Sequence, residues 1–486
     1  MSKNIPFLLF FLLVAEVCSA QNLFTRVYGG DSYDTGAEVI QTADGYLVAA
    51  TTGSYGLESG QVMLLKADEE GYEQWRKFYG NQYADQAESM VESADANLLI
   101  AGTSEVEGNS YEFYAIKLTT EGDTIWTRTY GGTEWDFCKQ AIALGDGGFA
   151  LFGQSYNTGN GDYHLVRIDS NGDTLWTRSY GGSGLEIGKS IAEAFDGGFY
   201  LAGSTESYGA GASDMYVVRT DEFGDTLWTK TFGGPLDDYC HAIAATEDSG
   251  YVLVGATFNN TADQSDLIIR KEGVVNTWSR LEATPGGSWA TDVIVQPGTG
   301  DVTVVGVVDG GGDFGKQDGR ILRYGGLDGI WGGVAKNHGS EGDDRFYDVK
   351  LCSDGGYVMA GFTEGYLDRF DDVWLVRADN FGFGVPAELG VDEIQLGGES
   401  FKLAIVPNPI GASSTLEIQN YEKLRRNVDG VLVARIFNAF GAEIKVIQVQ
   451  SNSTSLELQG LAAGIYTYQL STNKMVLATG KAVKFN

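Results

Sequence analysis

The chain is poor in the residues that most often carry chemistry: its 486 positions include 3 histidines, 4 cysteines, 6 methionines and 7 prolines. His164, His241 and His338 are scattered, so neither a compact multi-histidine metal centre nor a local His-based triad is legible, and each reads as a packed or exposed structural residue. No Gly-x-Ser-x-Gly, His-Glu-x-x-His or P-loop pattern occurs. Positive charge is scarce too. With 33 Lys+Arg against 66 Asp+Glu the net charge is −33, which repels nucleic-acid phosphate and anionic lipid and excludes a nucleic-acid partner. Past the first 20 residues no apolar run approaches the roughly 18 residues of a membrane span, so no transmembrane segment is expected.

Those first residues read as a secretory signal. Lys3 precedes an apolar run from Ile5 to Val14, and Cys18-Ser19-Ala20 supplies the small residues of a cleavage site, so 1–20 is expected to be removed. Cys138, Cys240 and Cys352 then remain, an odd number for a disulfide framework in an exported chain.

What is abundant is glycine, at 68 residues, together with 25 Tyr, 24 Phe and 9 Trp, a profile of short strands joined by tight turns. The chain also repeats itself. Tyr28-Gly29-Gly30, Tyr79-Gly80-Asn81, Tyr130-Gly131-Gly132, Tyr180-Gly181-Gly182 and Phe232-Gly233-Gly234 recur at steps of 51, 51, 50 and 52 residues. Degraded copies are read at Pro285-Gly286-Gly287 and His338-Gly339-Ser340. Trp75, Trp126, Trp176 and Trp228 stand four residues before the second to fifth markers, whereas Trp278 and Trp331 stand seven before the degraded ones.

Each unit divides into four alternating segments separated by Gly- and Asp-containing turns, the pattern of one propeller blade. Seven markers imply seven blades over residues 21–382. The last unit lacks a fourth strand, and Leu23 to Gly30 resembles the fourth strand of the other units, so the N-terminal strand is expected to close the last blade. The fold class read here is all-β: a seven-bladed β-propeller of four-stranded blades followed by a small β-sandwich. Cys138 and Cys240, eight residues after their markers, fall at equal depth in different blades, too far apart to bond. The repeats are similar to those of bacterial secreted β-propeller proteins, a likeness that concerns architecture and names no single chemistry.

Residues 383–400 lose the period and read as a linker; 401–486 alternate apolar and polar residues in short runs, as a sandwich does. This part holds 9 Lys+Arg against 5 Asp+Glu, so the acidity belongs to the propeller. Four ordered stretches carry a second resemblance: Pro407, Asn408 and Pro409; the Phe-Asn-Ala-Phe-Gly run ending at Gly441; Gly464 with Tyr466; and Lys481 with Lys484. They resemble the type A C-terminal sorting domain of the type IX secretion system of Bacteroidota. The resemblance implies passage across the outer membrane with the secretion machinery as partner, then release or surface attachment. The charged stretch Asn420 to Asp429 departs from it and reads as a lengthened loop.

Two sets of propeller residues are candidates for a site. Six residues after the markers stand Asp34, Asp85, Asp136, Glu186, Asp238 and Asp344, with Thr291 at the blade-six position. Carboxylates opening each innermost strand suit either a cation such as Ca²⁺ or, with more weight, hydrogen bonds to each blade's own Gly-Gly turn. The second set is Tyr55, Tyr156, Tyr208, Phe258 and Tyr366 in the loops after each second strand. Aromatic faces beside amides and hydroxyls suit a glycan or a protein ligand, though packing over strand ends is the commoner use. Turns such as Asp169-Ser170-Asn171-Gly172 lack a complete calcium-loop ligand set and read as hairpins. The reading is an exported, non-enzymatic binding or adhesion protein; a polysaccharide hydrolase or lyase with carboxylate catalysts, or a purely structural surface component, stand as alternatives.

Overall fold

The computed structural model describes residues 22–384 except 57–58, 109, 158, 259–264, 275, 310–315, 341 and 365–370. Beyond these it describes 393–396, 399–406, 415–418, 421–428, 430–438, 443–451, 453–456, 464–472 and 476–484. The expected signal 1–20 lies outside them.

Seven four-stranded antiparallel sheets follow one another along the chain. Blade three is representative: strand A (Asp136–Ala143), B (Phe149–Ser155), C (Asp162–Ile168) and D (Thr174–Tyr180) pair in sequence order. The burial of each strand explains its composition. B strands such as Phe149–Ser155 and Gly250–Thr257 are buried throughout. A strand covered on both faces reads as a continuous apolar run. D strands such as Thr174–Tyr180 form the outer edge and are largely exposed. The turns follow the expected hairpin chemistry. Gly172 at φ +82° closes the C–D turn, where the Asp169 carboxylate accepts from the amides of Asn171 and Asp173.

The ring closes as the split repeat requires. Phe24–Tyr28 pairs antiparallel with Asp372–Ala378, from Phe24 opposite Arg377 to Tyr28 opposite Val373, as strand D of blade seven. Phe24, Tyr28, Val373 and Leu375 then share a core with Val39, Tyr46, Val48 and Met63 of blade one. Six further cores lie between successive blades, for example Phe152, Tyr163 and Leu165 against Leu201, Tyr216 and Val218 between blades three and four. Each fully buried Val, Leu or Phe contributes roughly 1.5–3 kcal/mol. Cys138 and Cys240 sit in two of these cores, and burial pushes the thiols of Cys138, Cys240 and Cys352 up; all three are free.

A repeated ion pair escaped the sequence reading. The cation near the end of strand C reaches the A–B turn of its own blade in Lys66–Asp44, Lys117–Asp95, Arg167–Asp146, Arg219–Asp196, Lys271–Asp248 and Arg377–Asp354. In blade six Arg323 donates instead to the carbonyls of Gly332 and Asn380.

Residues 393–484 hold two further four-stranded sheets. One comprises Glu393–Leu396, Glu399–Val406, Thr415–Ile418 and Ser453–Ser455; the other comprises Glu443–Gln448, Val433–Asn438, Gly464–Ser471 and Val476–Lys484. Two expectations change here. The first strand falls inside the stretch read as a linker. The charged stretch is no plain loop but a short helix, α1 (Tyr421–Asn427), whose Tyr421 and Leu424 join the Leu416, Ile436 and Leu470 core while Arg425 and Arg426 stay exposed.

Candidate functional site: the central channel

The marker residues turn out to be joints between blades. The hydroxyls of Tyr79, Tyr130 and Tyr180 donate to the carbonyls of Gly122, Gly172 and Gly224 in the next blade's C–D turn, at 2.7, 2.8 and 2.7 Å. Tyr28 does the same to Gly71, and the His338 ring nitrogen Nε2 lies 3.0 Å from the Gly382 carbonyl. Strand pairing corrects the register of blade six. Glu282 faces Leu267 as Phe232 faces Met215, so Glu282, not Pro285, occupies the marker place, and Trp278 regains its four-residue spacing. Val334, not Trp331, holds the tryptophan position of blade seven's marker, opposite Arg323.

The carboxylates six residues on are anchors. Asp34, Asp85, Asp136, Glu186, Asp238 and Asp344 are at most 2% exposed. Each accepts from a backbone amide four residues earlier: Gly30, Asn81, Gly132, Gly182, Gly234 and Ser340. Ser288, not Thr291, opens the blade-six strand, because the marker there starts three residues earlier than the motif implies. A second acid closes on the same joint from the preceding blade. A side chain at Gly233 would meet Asp214 and Asp238, and one at Gly339 would meet Asp318 and Asp344, so only glycine fits. Burial, reinforced by Asp318, raises Asp344 to about 6; burial also raises Asp85 and Asp238. Among the described residues no group of three or more His, Cys, Asp or Glu is arranged to hold a metal ion.

The loop aromatics are not brought together. Tyr55 and Tyr208 donate to the carbonyls of Gly29 and Gly181, at 2.6 and 2.9 Å, and so brace their own blade tops. Phe258 packs edge-on against Tyr239, and Tyr156 against Trp135 and Phe137. None of these four lines the central cavity, and Tyr366 lies outside the described residues.

Side chains that reach the channel arrive by another device. Every A strand carries a β-bulge at the same place, two residues opposing one of strand B. The inserted residues are Ala37, Glu88, Lys139, Lys189, His241, Thr291 and Tyr347, and all seven line a cavity of about 510 Å³ with Tyr33, Trp289 and the acids of blades six, seven and one. A bulge re-aims the extra side chain out of the pleat. The residue after it ties the blades together. Glu38 accepts from Met90 N, Gln140 from Ile191 N, Ser190 from Ile243 N, Asp292 from Val349 N and Asp348 from Val39 N. Sequence reading missed the bulges, although they fall nine residues after every marker once Glu282 is counted as one.

The channel is electrically two-sided. On one side Lys350 pairs with Glu38 and Asp348, each at 2.6 Å, while burial raises Asp292 and Asp348. On the other, Lys139 pairs with Glu88; burial opposes its charge but the carboxylate outweighs it, holding the lysine above its usual value. Lys189 is lowered, by burial and then by Lys139. Burial, with Lys189 adding, pushes His241 down to about 4, so its imidazole is neutral at pH 7 with Nδ1–H directed at the Ala290 carbonyl, 2.7 Å away.

The family described as the secretion system C-terminal sorting domain matches residues 404–484. Of the residues that carried the resemblance, Pro407, Asn408, Pro409 and Gly441 lie outside the described set, whereas Gly464 faces Lys484, Tyr466 faces Ala482 and Lys481 faces Thr467 across the last two strands. Comparison with curated proteins gives no match. Among solved structures, a protein of unknown function from Bacteroides caccae is similar at 10% identity and a TM-score of 0.37, covering 63% of this chain and 94% of that one. PorZ, described as a surface component of the type-IX secretion system of Porphyromonas gingivalis, is similar at 10% identity and 0.34, covering 95% and 70%. The polysaccharide lyase Uly1 is similar at 11% identity and 0.44, covering 72% and 90%. Likeness at this level carries no argument about activity. No described helix is long and apolar enough to cross a membrane. The chain is a seven-bladed β-propeller followed by a region that matches the secretion-system C-terminal sorting domain, the mark of a protein exported to the cell surface.

Proposed function

We propose that this protein is a non-enzymatic binding module of the bacterial cell surface, delivered by the type IX secretion machinery through its C-terminal domain, whose ligand enters the central channel. One observation carries the reading. Positions that hold the ring together repeat from blade to blade, whereas the seven bulge positions that line the cavity carry Ala, Glu, Lys, Lys, His, Thr and Tyr. A rigid spacer has no use for such variety in its lumen, and a cavity of this size with convergent polar groups suits a small ligand or the end of a larger one.

The test is retention of the intact exported chain on an array of glycans and cell-surface extracts, with soluble products followed in parallel. Retention without products supports the reading, and products that vanish on Glu38→Gln would replace it with a hydrolase or lyase. Silence on every spot would overturn it in favour of a structural component.

A further inference from the structure

Three lysines line the channel, and two are neutralised: Lys139 by Glu88, Lys350 by Glu38 and Asp348. Lys189 makes no ion pair or hydrogen bond among the described residues, although it is half-buried in a chain of net charge −33. Withdrawing an ammonium from water without a partner costs free energy. The fold does not demand it there, since the equivalent bulge positions hold Ala37 and Thr291 and their blades close equally well. Its neighbours sharpen the point. Lys139 and His241 flank it electrostatically on blades three and five, with Glu88 as the only acid acting on it among the described residues, so this wall carries one uncompensated positive charge. Across the lumen stand Trp289 and Tyr347, the latter 37% exposed.

We propose that the channel is a site for a small organic acid, a carboxylate borne on a sugar-sized ring, with Lys189 as the principal cation, Lys139 as the second, and the aromatic wall of blades six and seven facing the ring. This rests on the reading of the channel as a binding site and names the class of its ligand. The carboxylate would supply the counter-charge that Lys189 lacks, and charge-assisted hydrogen bonds to it are the stronger kind. The lowered pKa of Lys189 fits a lysine waiting for an anion, and binding would raise it again.

The probe pair is D-glucuronate and D-glucose, identical in ring and different in one carboxylate, titrated calorimetrically into the intact exported chain. Glucuronate is expected to bind at least ten-fold more tightly than glucose. Lys189→Gln should erase that preference, Lys189→Arg should retain most of it, and Glu88→Gln, which frees Lys139, should enlarge it. Because the Lys189 ammonium holds no structural partner and its burial costs free energy, Lys189→Gln should melt no lower than the parent, which separates lost binding from lost folding. Equal affinity for the two sugars, no heat with glucuronate, or full glucuronate affinity in Lys189→Gln would each overturn the inference. Neutral glycans retained equally by parent and Lys189→Gln would do so while leaving the binding module standing; an array silent on every spot would remove both.

Discussion

The Tyr180 hydroxyl donates to the Gly224 carbonyl, 2.7 Å away and one blade further round the ring. The most repetitive residue of the sequence is thus a bond between units rather than a feature within one. Tyr180→Phe should keep the ring packing and lose about 1 kcal/mol, read as a lower midpoint in chemical denaturation. Phe232 already lacks this hydroxyl, so a combined change at Tyr130 and Tyr180 should be near additive, and an unchanged midpoint would deny the joint its role.

The anchor carboxylates make a second prediction. In Asp136→Ala the Gly132 amide loses its acceptor and the Asn157 side-chain amide keeps only the Ser155 hydroxyl, which should cost on the order of 2 kcal/mol. Chelator should leave the parent's melting temperature where it is. A rise on adding Ca²⁺ would show instead that these acids take up a cation.

Glycine at the joint is the third. A methyl group at Gly233 would sit against the Asp214 and Asp238 carboxylates. Gly233→Ala should therefore cost roughly 1–3 kcal/mol through overpacking. Rescue by Asp214→Ser in the same chain would locate the clash, and failure to rescue would point elsewhere.

Stability should also depend on pH through Asp344. Burial chiefly, with Asp318 adding, raises this carboxyl to about 6, against about 4 in an unfolded chain. The folded state then holds the proton more tightly. Its contribution is complete below about pH 4 and is lost as pH rises through 6. His241 and His338, both pushed to about 4 chiefly by burial, give the opposite slope between pH 6.5 and 4. The difference between the parent and Asp344→Asn isolates the carboxyl: the parent should lose about 2 kcal/mol relative to the variant from pH 4 to 6.5. Parallel pH profiles would contradict this.

For export, deletion of residues 401–486 should leave the protein in the periplasm, scored by cell fractionation. Surface exposure of the truncated chain would refute the sorting role.

Repetition made the propeller legible. Tight turns and apolar alternation are local, and seven copies average out individual deviations, so Leu23 to Gly30 could be placed in a blade some 350 residues away in sequence. Blade six went astray because a glycine pair at Gly286-Gly287 mimicked the marker while Glu282 held its place. The channel was missed for a related reason. Attention to what recurs finds anchors such as Asp136, whereas Lys139 and Lys189 stand in the column that does not recur, and strand alternation gives no sign that an extra residue has been inserted. Ion pairs such as Arg219–Asp196 join a buried cation to an exposed turn carboxylate 23 positions away, and no local pattern announces them.

The borrowed strand Phe24–Tyr28 also sets an order of events. Its partner Asp372–Ala378 is the last strand of the ring to be made, so the first segment to emerge must wait for nearly the whole propeller before it can pair. Closing so long a loop is slow compared with building any one blade. The open ring meanwhile leaves the edge of Asp372–Ala378 and the apolar face of Val39, Val48 and Met63 unguarded. The ring thus carries a latch that engages only when synthesis of the propeller is almost finished.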